Sequence, residues 1–277
     1  MTRVRAPGSS ANLGPGFDVL GLAVARYVWA WDTEDPGRPG ADRGNPCGPD
    51  HIARIAFEQA GGTGPLYFDF ELEPSRGLGF SAAARAAGAL LGALQQGHDL
   101  AAAQQVAYDV VADIEGHGDN AAPAVFGGAH VIADGYRHRI GSSFPGHLLF
   151  WVPEVETLTD ESRACLSTTV DRSEAIFNLG CIALLMAAVY EDRVDLLRQA
   201  TQDRLHQPQR FASCELAAKA YTTALEAGAA AAWLSGSGPT VAVVVEADQI
   251  EPMTRVLSES GAVLALDVDE EGAVPVD

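Results

Sequence analysis

Three glycine-rich segments of the chain have the composition of loops that bind an anion or close around a ligand. They are residues 6–23 (APGSSANLGPGFDVLGLA), 73–84 (EPSRGLGFSAAA) and 234–245 (LSGSGPTVAVVV). In the second segment a glycine turn leads directly into an alanine-rich stretch that predicts a helix over 81–96. Such a turn directs free backbone N–H groups and the positive end of a helix dipole at one point, which suits a phosphate.

Phe80 lies inside this second turn, where a phosphate-binding loop is expected to carry a small or hydroxylated residue. The backbone N–H groups of the turn donate hydrogen bonds whatever the side chain is. We therefore expect that these N–H groups can still bind a phosphate when residue 80 is a phenylalanine. The absent hydroxyl removes one hydrogen bond, a net loss of about 0.5–1.5 kcal/mol. The ring also needs room beside the ligand. We therefore expect phosphate binding to be weakened but retained.

Strands and helices alternate irregularly around these segments. Strands are predicted at 2–6, 21–31, 66–73, 127–132, 148–152, 240–245 and 262–267. Helices are predicted at 51–60, 81–96, 100–114, 173–190, 193–203, 211–227 and 250–258. Without strict βαβ alternation, this order indicates an α+β fold in two halves. The polar, glycine-rich stretch 133–147 is the candidate boundary, and it divides the chain into residues 1–145 and 146–277.

Composition narrows the classes of partner. The chain has 277 residues, and its net charge of −19 argues against binding to nucleic acid or to an anionic membrane. The apolar runs 81–94 and 175–190 are shorter than the ~20 residues that a bilayer requires, so both are predicted to be buried helices. The polar residues 2–7, with Arg3 and Arg5, predict that the N-terminus is not a signal sequence, and the four cysteines are widely spaced. We therefore expect a soluble cytoplasmic protein with reduced thiols.

The three glycine-rich segments, in this order, resemble the motifs of the galacto-homoserine-mevalonate-phosphomevalonate (GHMP) small-molecule kinase superfamily. Within it, SSANLGPGFD (9–18), EGHGDNAAPAVFGGA (115–129) and LHQPQR (205–210) are similar to signatures of the homoserine kinases. The resemblance runs from Arg3 to about Val245 and is interrupted mainly by a shortened stretch at 32–48. It implies an N-terminal half like domain 2 of ribosomal protein S5, a ferredoxin-like C-terminal half, and an active site in the cleft between them.

The same resemblance implies an ATP site with Mg²⁺. The ATP-binding residues would be Pro74, Arg76, Gly77, Leu78, Gly79, Phe80, Ser81 and Ala82. The family loop reads GLGSS; Ser81 matches its second serine, and Phe80 replaces the first. Mg²⁺ prefers oxygen ligands in octahedral geometry and takes one or two of them from protein. By resemblance, these are Ser81 and Glu115.

The resemblance also implies a site for L-homoserine, which carries an ammonium, a carboxylate and a hydroxyl. Its residues would be Asn12, Asp18, Asp119, Asn120, Thr159, Arg163, Arg210 and Gly236. An arginine fork suits a carboxylate, which assigns that role to Arg163 and Arg210. Asp18 and Asn120 would orient the hydroxyl and are the candidate catalytic residues. Asp18 is the one side chain expected to be able to take up a proton.

The function implied is ATP-dependent phosphorylation of the L-homoserine hydroxyl, a step in threonine biosynthesis. A kinase for another small hydroxyl-bearing metabolite is an alternative within enzymes. A non-catalytic homologue that binds homoserine or threonine is an alternative of another class, which Phe80 and the shortened 32–48 stretch favour. Many relatives are dimers, so a homodimer is one expected assembly.

Overall fold

The computed structural model describes residues 2–33, 46–141, 143–155 and 159–276, without the side chains of 159–161. Its strands are β1 (Arg3–Ala11), β2 (Leu20–Trp31), β3 (Tyr67–Phe70), β4 (Ala129–Ala133), β5 (Tyr136–Gly141), β6 (His147–Val152), β7 (Ala231–Leu234), β8 (Val241–Val245), β9 (Ala262–Ala265) and β10 (Val274–Val276). Its α-helices are α1 (Ile52–Gln59), α2 (Phe80–Gln95), α3 (Leu100–Glu115), α4 (Ala121–Phe126), α5 (Thr159–Ala164), α6 (Arg172–Glu191), α7 (Leu197–Ala200), α8 (Gln207–Ser213), α9 (Glu215–Glu226) and α10 (Ile250–Leu257). The predicted α+β class is therefore confirmed.

The first sheet is antiparallel, in the order β10-β1-β2-β4-β5, with β3 also paired to β2. Helix α2 packs on β1 and β2 and is buried along most of its length. Its small side chains let α1 approach closely. A Cβ added at Gly88 would lie 2.0 Å from the carbonyl oxygen of Ala53, and one at Gly92 would lie 2.4 Å from that of Phe57. The alanine and glycine content of α2 is thus a packing requirement.

The second sheet, β7-β8-β6-β9, is also antiparallel and is covered on both faces. Successive residues of a strand point to opposite faces. On β8, Val241, Val243 and Val245 face a cluster that includes α9 and α10. Ala242 and Val244 face the main core, which also holds the interior of the first sheet. One continuous core therefore joins the two sheets.

No strand was predicted within residues 133–147, but the stretch contains β5. β4 and β5 form a hairpin in which Ala133 pairs with Tyr136. Asp134 and Gly135 between them both have positive φ, 46° and 79°. An Asp-Gly pair of this conformation is a preferred two-residue hairpin turn. Two predicted helices also differ: 211–227 is interrupted at Cys214, and in 193–203 only Leu197–Ala200 is α-helical.

The prediction that both apolar runs are buried holds for α2 but was wrong for α6. α6 is packed along one edge, through Asn178, Cys181, Leu185 and Ala188. Its apolar residues continue around the remaining faces, and only 22% of its most apolar window is buried. Within the described residues it is the one helix long and apolar enough to cross a bilayer. A single such helix is weak evidence of a membrane span, because helices of soluble proteins pass the same test.

The chain returns to its first sheet at the end. β10 pairs with β1, so that Arg3 is opposite Val276, and Val24 bridges to Val268. The second sheet begins with β6 at His147. The division into residues 1–145 and 146–277 remains a prediction.

Candidate active site

One cleft of about 520 Å³ gathers parts of all three glycine-rich segments. Most of the residues singled out in the sequence line it. They are Asn12, Asp18, Pro74, Arg76, Gly77, Gly79, Phe80, Ser81, Ala82, Glu115, Asp119, Asn120, Arg163, Arg210 and Gly236. Leu78 does not: it is 3% exposed and belongs to the core, and its carbonyl accepts a hydrogen bond from the Ser9 N–H. Thr159 begins α5, and its side chain lies outside the described part of the structure.

Buried serines hold the three segments together. Ser235 Oγ donates to the carbonyl of Gly77 at 2.6 Å and lies 2.9 Å from Ser10 Oγ. Trp233 Nε1 also donates to Ser10 Oγ, at 3.0 Å. Both serines are fully buried, so these hydrogen bonds satisfy groups that would otherwise be costly to bury. The first and third segments thereby fix the position of the second segment. Its turn at residues 77–81 is the predicted phosphate loop.

The phosphate loop itself approaches β1 closely. Gly79 has φ 69°, and a Cβ at this position would lie 2.0 Å from Ser9 Oγ. Glycine is therefore required here by both conformation and space. Gly79 precedes α2 without a side-chain cap, and the N–H groups of Gly79 to Ala82 have no hydrogen-bond partner among the described residues. The start of α2 thus presents free donors to the cleft.

The ring of Phe80 packs against β3. It makes edge-to-face contacts with Phe70 and Phe68, with ring centroids 5.4 and 6.2 Å apart. His51 contacts Phe68 from the other side, at 4.9 Å. Aromatic pairs in this arrangement are favourable. Phe80 thus anchors the loop to β3 while its backbone N–H stays free.

We expect Phe80→Ser to destabilise the protein by about 1–3 kcal/mol, because a half-buried ring loses its aromatic contacts. The KM for ATP should fall, by no more than about tenfold, since the added hydroxyl offers one hydrogen bond. Urea unfolding and initial rates measure the two effects. Phe126→Ser is the control, because Phe126 packs on Tyr108 away from the cleft. A lower stability without a change in KM is expected for Phe126→Ser, and a raised ATP KM for Phe80→Ser would contradict the prediction.

Ser81 and Glu115 lie near each other, and Arg85 links them. Arg85 Nη1 donates to Ser81 Oγ and, at 2.8 Å, to Glu115 Oε1. The side chains of Arg85 and Glu115 are 18% and 10% exposed. Arg85 also lines the cleft. A guanidinium therefore holds the two oxygen atoms that the resemblance assigns to a metal.

On the acceptor side, Asp18 and Arg163 form a bidentate ion pair, with N–O distances of 2.8 and 2.9 Å. Asn12 Oδ1 accepts from the Asp18 N–H at 3.1 Å, and Asn12 Nδ2 donates to the Gly236 carbonyl at 3.0 Å. Asn12 and Asp18 both have positive φ, 72° and 58°. Asn and Asp tolerate this conformation better than most side chains do. The first and third segments thus position the ion pair.

Asp119 and Asn120 are oriented by neighbours. Asp119 Oδ1 lies 2.6 Å from His117 Nδ1 and accepts from the Asn120 N–H at 3.0 Å. The hydrogen bond to Asp119 raises the pKa of His117, against the opposing effect of burial. Asn120 Oδ1 accepts from Ser9 Oγ at 2.9 Å, and Asn120 Nδ2 donates to Asp119 Oδ1 at 3.5 Å. An amide nitrogen has two N–H donors, so one of them is left for the cleft that Asn120 lines. Asp18, His117 and Asp119 also bring three potential ligand atoms within 4.8 Å of one another.

Arg210 is 5% exposed and is held from three sides. Its Nη1 donates to the Gly236 carbonyl at 3.0 Å and lies 3.1 Å from His206 Nδ1. Its Nε donates to the carbonyl of Ser162 at 3.4 Å. Burial lowers the pKa of Arg210, and the charge of Arg163 adds to this effect. The guanidinium nevertheless stays charged, because its pKa lies far above neutrality.

His206 and Asp203 support the segment that carries Arg210. His206 is fully buried, stacks on Phe17, and its Nε2 lies 2.8 Å from the Gly14 carbonyl. Burial lowers the pKa of His206. Asp203 accepts from the side-chain amide of Asn178 and from the N–H groups of residues 205, 206 and 207.

Sequence reasoning did not identify Ser9, Arg85, Phe17, Asn178 or Asp203 as part of this site. Two signals were available: Ser9 belongs to the SSANLGPGFD motif, and Arg85 is a lone charge in an alanine run. Phe17 lies between the two arginines, whose guanidinium carbons are 5.4 Å (Arg163) and 5.2 Å (Arg210) from its ring. Nothing in the local sequence indicates this position, since the residues come from distant segments.

Comparisons with known proteins show what this chain is similar to. Residues 185–263 match the family described as GHMP kinases C terminal. The chain is 33% identical to the homoserine kinase of Desulfitobacterium hafniense, over 100% of both chains. It is 39% identical to the homoserine kinase of Deinococcus radiodurans, over 86% of this chain and 82% of the relative. The crystal structure of homoserine kinase from Cytophaga hutchinsonii superposes with a TM-score of 0.81 at 22% identity, over 99% and 97% of the two chains, which shows a shared fold.

Proposed function

Because this chain belongs to the homoserine kinase family of GHMP kinases, we propose that it transfers the terminal phosphoryl group of ATP to the side-chain hydroxyl of L-homoserine. The products are O-phospho-L-homoserine and ADP, as in threonine biosynthesis. The observation that carries the proposal is one cleft lined both by the residues of the α2 N-terminus, whose N–H groups have no acceptor among the described residues, and by Arg163, Arg210, Asp18 and Asp119. A phosphate donor and a zwitterionic acceptor fit these two sets of groups.

We place the phosphates of ATP at the phosphate loop and the start of α2. The unpaired N–H groups of Gly79 to Ala82 are donors aimed at the cleft, and the helix dipole favours an anion there. Gly77 and Gly79 allow the backbone to fold tightly in this loop, each with positive φ. Mg²⁺, when bound with ATP, would supply further positive charge against the negative charge that develops during the transfer.

We place L-homoserine between α5, α8 and the end of β1. Arg210 and Arg163 are the donors for its carboxylate, and Asp119 is an acceptor for its ammonium. Arg163 is 42% exposed and currently paired with Asp18, so the substrate carboxylate has to share or displace that pairing. Arg210 is buried and already fixed by hydrogen bonds to Gly236 and His206. We therefore assign Arg210 the larger share of carboxylate recognition.

Phosphoryl transfer depends mainly on positioning and on charge neutralisation. The second N–H of the Asn120 amide orients the hydroxyl oxygen, because Ser9 occupies the amide oxygen and Asp119 accepts from the other N–H. The hydroxyl oxygen forms the new bond to the terminal phosphorus while the bond from that phosphorus to the bridging oxygen of ADP breaks. Asp18 is the carboxylate that we assign to receive the hydroxyl proton. The glycines of the third segment close the cleft above the reacting groups.

The alternative of a non-catalytic homologue depended on Phe80 and on the shortened 32–48 stretch. Phe80 packs sideways on β3 and leaves the loop donors free, which removes one of the two reasons. The other reason is the shortened stretch 32–48, and most of it, residues 34–45, lies outside the described part of the structure. Cytoplasmic location and homodimeric assembly remain predictions.

The proposal predicts ADP formation that depends on L-homoserine. With Mg-ATP and saturating L-homoserine, we expect turnover on the order of 1–100 per second, as is typical of kinases. L-2-Aminobutyrate is the matched control, because it has the same carboxylate, ammonium and carbon chain but no hydroxyl. Phosphorus NMR of the product should show a phosphomonoester. ADP release at the same rate with L-2-aminobutyrate, or none with a folded protein and L-homoserine, would refute the assignment.

A further inference from the structure

The metal ligands implied by the family do not fit a metal as this chain arranges them. Mg²⁺ needs lone pairs of oxygen ligands about 2.0–2.1 Å away, in octahedral geometry. Here Ser81 Oγ and Glu115 Oε1 accept hydrogen bonds from the same nitrogen of Arg85. A metal ion and a guanidinium would also repel each other at this distance. Ser81 and Glu115 can serve a metal only if Arg85 leaves.

From this disagreement we infer that Arg85 is itself a phosphate-binding cation of the active site, held by Ser81 and Glu115 in the place that the family resemblance assigns to a metal. The inference rests on the ATP site proposed above. Metal ions still enter on ATP, but they are not needed to attach its phosphates to this protein.

The donor inventory of Arg85 supports this role. A guanidinium has five N–H donors, and the two on Nη1 are engaged by Ser81 and Glu115. Neither Nη2 nor Nε of Arg85 has a hydrogen-bond partner among the described residues. Two adjacent nitrogens of a guanidinium match two oxygens of a phosphate. Arg85 is thus fixed through Nη1, and its Nη2 and Nε remain able to donate hydrogen bonds to an anion.

The position of Arg85 in α2 also supports a phosphate-binding role. Arg85 lies one turn into α2, and its side chain reaches back to Ser81 in the first turn. A cation near a helix N-terminus opposes the helix dipole, so it is favourable mainly where an anion is present to compensate. The single charge of Glu115 compensates only one positive group. The triphosphate of ATP would be the larger counter-charge, and the cleft that Arg85 lines contains the loop that would bind it.

The test is the affinity for ATP, measured by calorimetry in the absence of L-homoserine, once with Mg²⁺ and once with EDTA. For the unmodified chain we expect the two dissociation constants to agree within about fivefold, because the resident cation does not depend on metal. Arg85→Ala should weaken ATP binding in EDTA by at least about tenfold, the loss expected for charge-assisted hydrogen bonds to phosphate. With Mg²⁺ the variant should recover most of this loss, because Ser81 and Glu115 are then free to bind the metal.

Three further variants separate this role from a structural one. Arg85→Gln keeps a polar side chain beside Ser81 and Glu115 without the charge, and should lose metal-free affinity as Arg85→Ala does. Arg85→Ala combined with Glu115→Gln should not regain affinity with Mg²⁺. Arg54→Ala is the matched control, since it breaks an ion pair with Glu58 on α1 outside the cleft. It should leave both dissociation constants unchanged.

Two results would overturn the inference. One is an unmodified chain that binds ATP more than about tenfold tighter with Mg²⁺ than with EDTA, together with an Arg85→Ala variant whose metal-free affinity is unchanged. In that case the proposed kinase activity stands and only the role of Arg85 is lost. The other is no ATP binding under either condition by the folded chain, which would remove the ATP site and this role together.

Discussion

Arg210→Gln should lower kcat/KM for L-homoserine by roughly 100- to 1,000-fold, mostly through a higher KM, while the KM for ATP stays within about twofold of the original value. The reason is the loss of a buried charge that is already in place. Arg210 is 5% exposed, and the Gly236 carbonyl and His206 fix its guanidinium before substrate arrives. A prepositioned charged donor contributes more than an exposed one, because less conformational entropy is lost on binding.

Arg204→Gln is the matched control for this substitution. Arg204 lies six residues earlier on the same segment, is 49% exposed, and pairs with Glu174 on α6. It does not line the cleft, so its loss should leave kcat/KM unchanged. Arg210→Lys should give an intermediate value, because the charge is kept and the planar fork is lost. Equal effects of Arg210→Gln and Arg204→Gln would show that the segment, rather than the guanidinium in the cleft, determines the activity.

Asp203→Ala should lower the free energy of unfolding by about 3–5 kcal/mol, which makes Asp203 one of the most sensitive positions outside the cleft. Its side chain is fully buried and accepts four hydrogen bonds, from Asn178 Nδ2 at 2.7 Å and from three consecutive backbone N–H groups at 2.7–3.0 Å. Alanine would leave the three backbone N–H groups without this acceptor, while Asn178 Nδ2 would keep the Pro15 carbonyl. Urea unfolding at constant pH measures the loss.

Asp195→Ala is the control for Asp203→Ala. Asp195 is an exposed aspartate that pairs with Arg193 on the same part of the chain, and its removal should leave the urea midpoint unchanged. Asp203→Asn should be less destabilising than Asp203→Ala, because it keeps one acceptor oxygen for the backbone. A change below about 1 kcal/mol for Asp203→Ala would mean that water replaces the carboxylate at this position.

Asp203, which does not line the cleft, shows how buried residues outside the cleft support the site. Asp203 fixes the backbone at the start of α8, and α8 carries Arg210 on its last turn. Asn178 of α6 binds the same carboxylate and also donates to the Pro15 carbonyl of the first segment. One buried carboxylate therefore connects the acceptor arginine, the long helix α6 and the first glycine-rich segment.

The local sequence pattern predicted most of the helices and strands. Where the structure differs from the prediction, the reason usually lies in the local sequence as well. The helix over α2 followed from its alanine-rich composition and from the glycine turn before it. The strand β5 was not predicted because YRHRIG is polar on both faces and therefore lacks the alternation of apolar and polar residues that indicates a strand. The burial of α6 was overestimated because its apolar residues extend around the whole helix, which suggested that every face is buried. In the structure only one stripe of the helix packs against the protein, as in other surface helices.

The sequence by itself determined the chemistry of the site, because residue types and their order within motifs fix which groups are available. Glycines 77 and 79 directly before an alanine-rich stretch predicted an anion site at a helix start, and the resemblance of the motifs to the homoserine kinases implied the arginines and carboxylates of the acceptor site. The tertiary structure decided which of these groups pair with one another. Asp18 with Arg163, Phe80 with β3, and Arg85 with Ser81 and Glu115 depend on distances between segments up to 145 residues apart. No local pattern encodes such distances, since they arise only when both sheets pack on the common core.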